Sequence, residues 1–100
     1  MAVKLLMTWD IRQGREQDYF EFVVREFIPG IQRLGLETTD AWFTMYGEHP
    51  QILVGAVSSS QDELEQTIKS DEWEKLTDEL LKLVDNYESK IVPARRGFQM

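Results

Sequence analysis

The chain is predicted to be an α+β domain of order β-α-β-β-α-β, a four-stranded antiparallel sheet with both helices on one face. Three observations lead there. Residues 3–11 alternate apolar and polar with period two. Two longer segments, Glu16 to Leu34 and Ser60 to Tyr87, repeat apolar residues at spacings of three and four. Between them lie two runs rich in Thr, aromatic and β-branched residues, separated by a short turn. One hundred residues with 42% apolar side chains suffice for one modest core, so residues 1–100 are expected to form a single domain.

Each element has its own signature. In the first strand Val3, Leu5, Met7, Trp9 and Ile11 alternate with Lys4, Thr8, Asp10 and Arg12, and only Leu6 breaks the pattern. Gln13-Gly14-Arg15 turns the chain. The first helix starts at Glu16 with an apolar stripe of Phe20, Val23, Val24, Phe27, Ile31 and Leu34. Pro29 lacks an N–H and restricts the residue before it, so this helix should stop or kink near Phe27-Ile28 and restart briefly. Gly35 supplies a C-terminal cap. Leu36 to Tyr46 is the second strand, Gly47 to Pro50 a hairpin turn, and Gln51 to Ser58 the third strand.

Ser60 with Glu63 forms a capping box for the next helix, along which Leu64 and Ile68 face inward. Ser70-Asp71-Glu72 marks a further helix start, followed by a stripe of Trp73, Leu76, Leu80, Leu83, Val84 and Tyr87. The last strand is expected over Lys90 to Phe98, with Pro93 suiting an edge position. This order is the ferredoxin-like split βαβ arrangement.

Two helices cover one face of four strands and leave the other bare. The third strand, Ile52-Leu53-Val54-Gly55-Ala56-Val57, is apolar at every position, and the second carries large groups on both sides, with Trp42 and Tyr46 opposed to Ala41, Phe43 and Met45. Leaving such side chains wet forgoes roughly 1.5–3 kcal/mol each, and a contiguous apolar patch marks an interface. The simplest cover is a second copy of the sheet, so a homodimer is expected.

Composition excludes several classes. Lys and Arg number 11 against 18 Asp and Glu, a net charge of −7, and no basic stripe exists for a nucleic acid. There is no cysteine, hence no thiolate nucleophile or ligand, which fits a reducing, cytoplasmic setting. No segment reaches the roughly 20 apolar residues of a membrane span, and the N-terminal segment is too short for a signal peptide. One histidine and acidic residues on helix surfaces do not compose a metal site. No phosphate-cradling glycine loop or nucleophile elbow occurs, and no cofactor is expected.

The layout "PGIQRLGLETTDAWFTMYGEHPQILVGAVSSSQDE" followed by "SDEWEKLTDELLKLV" resembles the dimeric α+β-barrel superfamily, the NIPSNAP-like group in particular. There a glycine-ended first helix precedes a Trp-bearing strand, and a Trp opens the last helix. The superfamily also includes stress-responsive barrel domains and antibiotic-biosynthesis monooxygenases. The resemblance implies paired sheets and a ligand pocket between sheet and helices of each subunit. It also implies a range of activities that includes cofactor-free oxidation of aromatic polyketides and haem degradation. The haem-degrading branch uses an Asn on the first strand and a His on the last helix; this chain has neither.

Candidate site residues follow from chemistry. His49, the one imidazole, and Tyr46 are the candidates for proton handling. Trp9, Trp42, Trp73 and Tyr87 can wall an aromatic pocket, although a Trp on a regular helical stripe more often belongs to a core. Arg12 shares a strand face with Asp10 and can bind a ligand or complete a polar cluster with Asp40 or Thr44. Arg95-Arg96 can hold a carboxylate. Two readings stay open: a cofactor-independent monooxygenase or isomerase acting on a small apolar or aromatic molecule, and a non-catalytic homodimer that binds a ligand or a protein.

Overall fold

The computed structural model describes residues 1–46 and 49–94, and side chains for 1–39, 41 and 51–94. The strands are β1 (Val3–Ile11), β2 (Glu37–Tyr46), β3 (His49–Ser58) and β4 (Val84–Pro93). They form one antiparallel sheet of order β2-β3-β1-β4. Between β1 and β2 run α1 (Glu16–Phe22), a π-helical turn (Val23–Phe27) and α2 (Ile28–Arg33). Between β3 and β4 run α3 (Gln61–Ile68) and α4 (Asp71–Leu81). This is the ferredoxin-like α+β arrangement.

The alternation of β1 is realised residue by residue. Val3, Leu5, Met7, Trp9 and Ile11 are buried, while Lys4, Leu6, Thr8 and Asp10 are half-buried on the opposite side. Ile52, Val54 and Ala56 of β3 join the buried face. The helices add Tyr19, Phe22, Phe27, Ile31, Leu64, Trp73, Leu76 and Leu80, and one continuous core results.

The first helical segment differs in phase from its expected stripe. Phe20 and Val24 are exposed, and Tyr19 and Phe22 take the inward places. The π turn is the physical reason. Phe22 and Phe27 are five residues apart, a spacing that a wider i→i+5 turn brings onto one face and an α-helix does not. The widened turn lies just before Pro29, whose ring disturbs the carbonyl of residue i−4. Gly35, at φ 92°, then closes α2, with Gly35 N–H donating to the Gln32 carbonyl and Leu36 N–H to that of Ile31.

The second helical segment ends sooner than its stripe suggested. α4 stops at Leu81, and Val84 to Tyr87 belong to β4, which begins six residues before the expected Lys90. Leu80, Leu83, Val84 and Tyr87 mimic helical spacing, but Leu83 sits in the turn, where its carbonyl accepts the Arg12 backbone N–H at 2.9 Å. Pro93 closes β4 opposite Val3, at the sheet edge, as its missing donor requires. The expected continuation to Phe98 lies outside the described residues, as do Gly47 and Glu48 of the expected Gly47 to Pro50 turn. His49 and Pro50 belong to β3, which pairs with β2 from Tyr46↔His49 onward and so begins two residues before the expected Gln51.

Both predicted helix starts are capped. Ser60 Oγ accepts the Glu63 N–H at 3.1 Å, while the Glu63 carboxylate takes the Ser59 hydroxyl instead of closing the box. Ser70 Oγ accepts the Trp73 N–H at 3.2 Å and donates to the Thr67 carbonyl at 2.6 Å, tying α3 to α4.

Candidate functional site

The period-two face of β1 places Trp9 at the centre of the molecule, under the first helix. Trp9 is 1% exposed, and its indole N–H donates to the Tyr19 hydroxyl at 2.9 Å. Tyr19 and Phe27 meet the indole edge-on, with centroids 6.4 and 6.0 Å away, and Tyr87 stacks on it at 5.9 Å with 12° between planes. Tyr87 reaches this place because β4 carries a bulge. The β1–β4 register shifts between Thr8 and Asp10, and Asn86 adopts φ 59° there, its side-chain amide donating to Asp10 at 2.9 Å.

Desolvation governs the phenols. Burial pushes the Tyr19 hydroxyl up to about 12, only partly offset by the hydrogen bond from Trp9. Burial also raises Tyr87, against a smaller opposing effect of a hydrogen bond with Ser89. Both phenols therefore stay neutral at physiological pH and act as polar neutral groups beside an aromatic wall. Tyr87 is half-buried and forms the solvent side of the cluster.

The predicted site residues separate into groups. Trp9 and Tyr87 come together. Trp73 is also buried, but in the α4 stripe, and the ring contacts among the described residues do not join it to Trp9. Arg12 sits at the end of β1, where its guanidinium donates to Asp85 at 3.2 Å and to the Leu81 and Val84 carbonyls at 3.4 and 3.3 Å. These bonds pin the α4–β4 turn to β1. Asp10 and Arg12 thus each find a β4 partner, Asn86 and Asp85 respectively. The side chains of Trp42, Tyr46 and His49, and all of Arg95 and Arg96, lie outside the described residues. Tyr19 and Phe27 were missed as cluster members. The i to i+5 spacing of Phe22 and Phe27 is the signal that could have revealed them.

The helix-free face is the second candidate surface. Leu6 lies between Gly55 and Lys90, Thr8 between Leu53 and Glu88, and Lys4 between Val57 and Val92. Apolar groups therefore concentrate over β1 and β3, and charge moves to the β4 edge. Among the described residues no group of three or more His, Cys, Asp or Glu is placed to hold a metal ion, and no helix is long and apolar enough to cross a membrane.

No protein-family model matches this chain, and no curated protein matches it in sequence. Solved structures do match in shape. A NIPSNAP family protein of Agrobacterium tumefaciens superposes with a TM-score of 0.75 at 18% identity, over 97% of this chain and 96% of that one. A NIPSNAP domain protein of Burkholderia xenovorans gives 0.70 at 13% identity over the whole of both chains. SnoaB, a cofactor-independent oxygenase of Streptomyces nogalater, gives 0.72 at 13% identity over 99% and 98%. The ferredoxin-like fold of this chain is therefore the one shared by NIPSNAP proteins and by a cofactor-independent oxygenase.

Proposed function

We propose that the chain acts as a homodimer of paired sheets that binds a small apolar or aromatic molecule against the Trp9–Tyr87 stack. The half-buried apolar strip of Leu6, Leu53 and Val57 on the helix-free face supports the pairing. The single observation that carries the ligand reading is the half-buried Tyr87 ring lying flat on a buried indole. A planar molecule that displaced or extended this stack would gain aromatic contact and a neutral phenol as hydrogen-bond partner. Likeness to SnoaB supports oxygenation without flavin or metal as the chemistry of such a site. In that chemistry the substrate supplies the electron, and the protein binds it, helps remove its proton and excludes water.

A non-catalytic binding module is the second reading, and one observation favours it. The polar groups of the stack are already engaged, the indole N–H by the Tyr19 hydroxyl and the Tyr87 hydroxyl by Ser89. One experiment separates the readings. Tryptophan emission and dissolved oxygen are followed together as the protein is titrated with a panel of polyphenols and quinols. Saturable quenching with oxygen uptake supports the oxygenase, and quenching alone supports the binding module. Neither response in any titration would remove the ligand reading. Sedimentation of the folded chain as an 11.7 kDa monomer at micromolar concentration would remove the dimer.

A further inference from the structure

The outer surface of the helices holds a feature that neither the proposed pairing face nor the proposed ligand site uses. Leu76 of α4 packs directly on Gly30 of α2, so closely that a Cβ on Gly30 would lie 2.6 Å from Leu76 Cδ1. Away from that contact a furrow of about 1080 Å³ lies between the first helical segment and α4, with Phe22, Leu76 and Leu81 among its lining residues. Phe22 and Leu76 are nearly closed, whereas Leu81 stands 44% exposed.

Charge along this furrow is one-sided. Five carboxylates line it, those of Glu26, Asp71, Glu72, Asp78 and Glu79, against the two cations Lys75 and Lys82. Glu72 is paired with Arg33 and Glu79 with Lys82. Glu26 and Asp71 make no ion pair among the described residues, and Asp78 acts on Lys82 only at longer range.

We propose that this furrow docks a cationic amphipathic helix of another protein. Its apolar side chains would lie on Phe22, Leu76 and Leu81, and its Lys and Arg residues against Glu26, Asp71 and Asp78. An apolar helix face fits a groove of this kind, and its basic flanks supply the missing counter-charge. A second copy of this chain, at net −7, is repelled by the same rim. The surface lies on the helix side of the sheet, so it stays open when the helix-free faces pair.

The probe is a fluorescein-labelled 14-residue Leu/Lys amphipathic helix, with a Leu/Glu helix of the same pattern as counterpart, both read by anisotropy at physiological salt. The expected result is saturable binding of the Leu/Lys peptide alone. The variant Glu26→Lys with Asp78→Lys should weaken it by roughly tenfold or more, and Leu81→Ser by roughly threefold or more. Asp62→Lys with Glu65→Lys on α3 changes the net charge equally and should weaken binding by about twofold at most, through the general field alone. Circular dichroism verifies the fold of each variant. Equal losses in the two charge variants would reduce the effect to bulk charge and overturn the proposal. So would an unaffected Leu81→Ser variant, equal binding of the Leu/Glu peptide, or no saturable binding.

Discussion

Tyr19 joins burial to an obligatory hydrogen bond. The Trp9 indole N–H has the Tyr19 hydroxyl as its partner at the centre of the core. Tyr19→Phe leaves that N–H dry and unpaired, and the expected loss is about 1–3 kcal/mol in urea unfolding at neutral pH. The same phenol makes stability depend on alkaline pH. Its folded pKa is raised from 10.0 to about 12, so folding binds the proton more tightly. The contribution is complete below pH 10 and is lost as pH rises towards about 12, because the unfolded chain ionises first. The difference is on the order of 3 kcal/mol. The Phe variant should lose stability less steeply across that window, and an unchanged slope would show that Tyr19 does not carry it. Gly30 is the second sensitive residue. Gly30→Ala gains helix propensity of about 1 kcal/mol but drives its methyl into Leu76, so a net loss of about 1 kcal/mol is expected. With Leu76→Ala already in place the clash is gone, and the same change should become stabilising. An additive cycle would refute the contact.

At the scale of elements, two irregularities set the site. The π turn between α1 and α2 rotates the helix so that Tyr19, Phe22 and Phe27 all face β1. The bulge in β4 returns Tyr87 to the helix side, where it meets Trp9. Asn86 holds that bulge at φ 59°, a conformation that costs a residue with a Cβ about 1–2 kcal/mol unless its side chain compensates. Asn86 compensates by donating to Asp10. Asn86→Ala should therefore destabilise by about 1–2 kcal/mol, and Asn86→Gly by no more than about half as much, since glycine accepts the backbone angle freely. Equal costs in chemical denaturation would mean that the hydrogen bond, and not the backbone, dominates.

For the whole molecule the decisive quantity is the cover of the second sheet face. The described ion pairs are all on the exposed surface and contribute little each. Cohesion rests on apolar packing, and Leu6 and Leu53 on the helix-free face are only half-buried. Replacing both by Glu should turn the proposed dimer into a folded monomer in sedimentation, with a dissociation constant raised by about a hundredfold or more, because a carboxylate buried without a partner costs several kcal/mol. A double variant that sediments as the parent does would place any interface elsewhere.

Periodicity alone was enough for the element order, the buried face of β1, the two serine caps and the glycine end of α2. These depend on residues within a turn or two of one another, which the sequence displays directly. The inward face of the first helix was not legible, because one widened turn resets the phase that a fixed period of 3.6 assumes. The start of β4 was hidden for a related reason: Leu83, Val84 and Tyr87 keep helical spacing while the chain, released at Leu81, bonds to β1. Only the tertiary structure assembled Trp9, Tyr19, Phe27 and Tyr87 into one cluster and committed Arg12 to Asp85. Those contacts join residues as many as 78 positions apart in the numbering, between Trp9 and Tyr87, and sheet register decides them where local pattern has no reach.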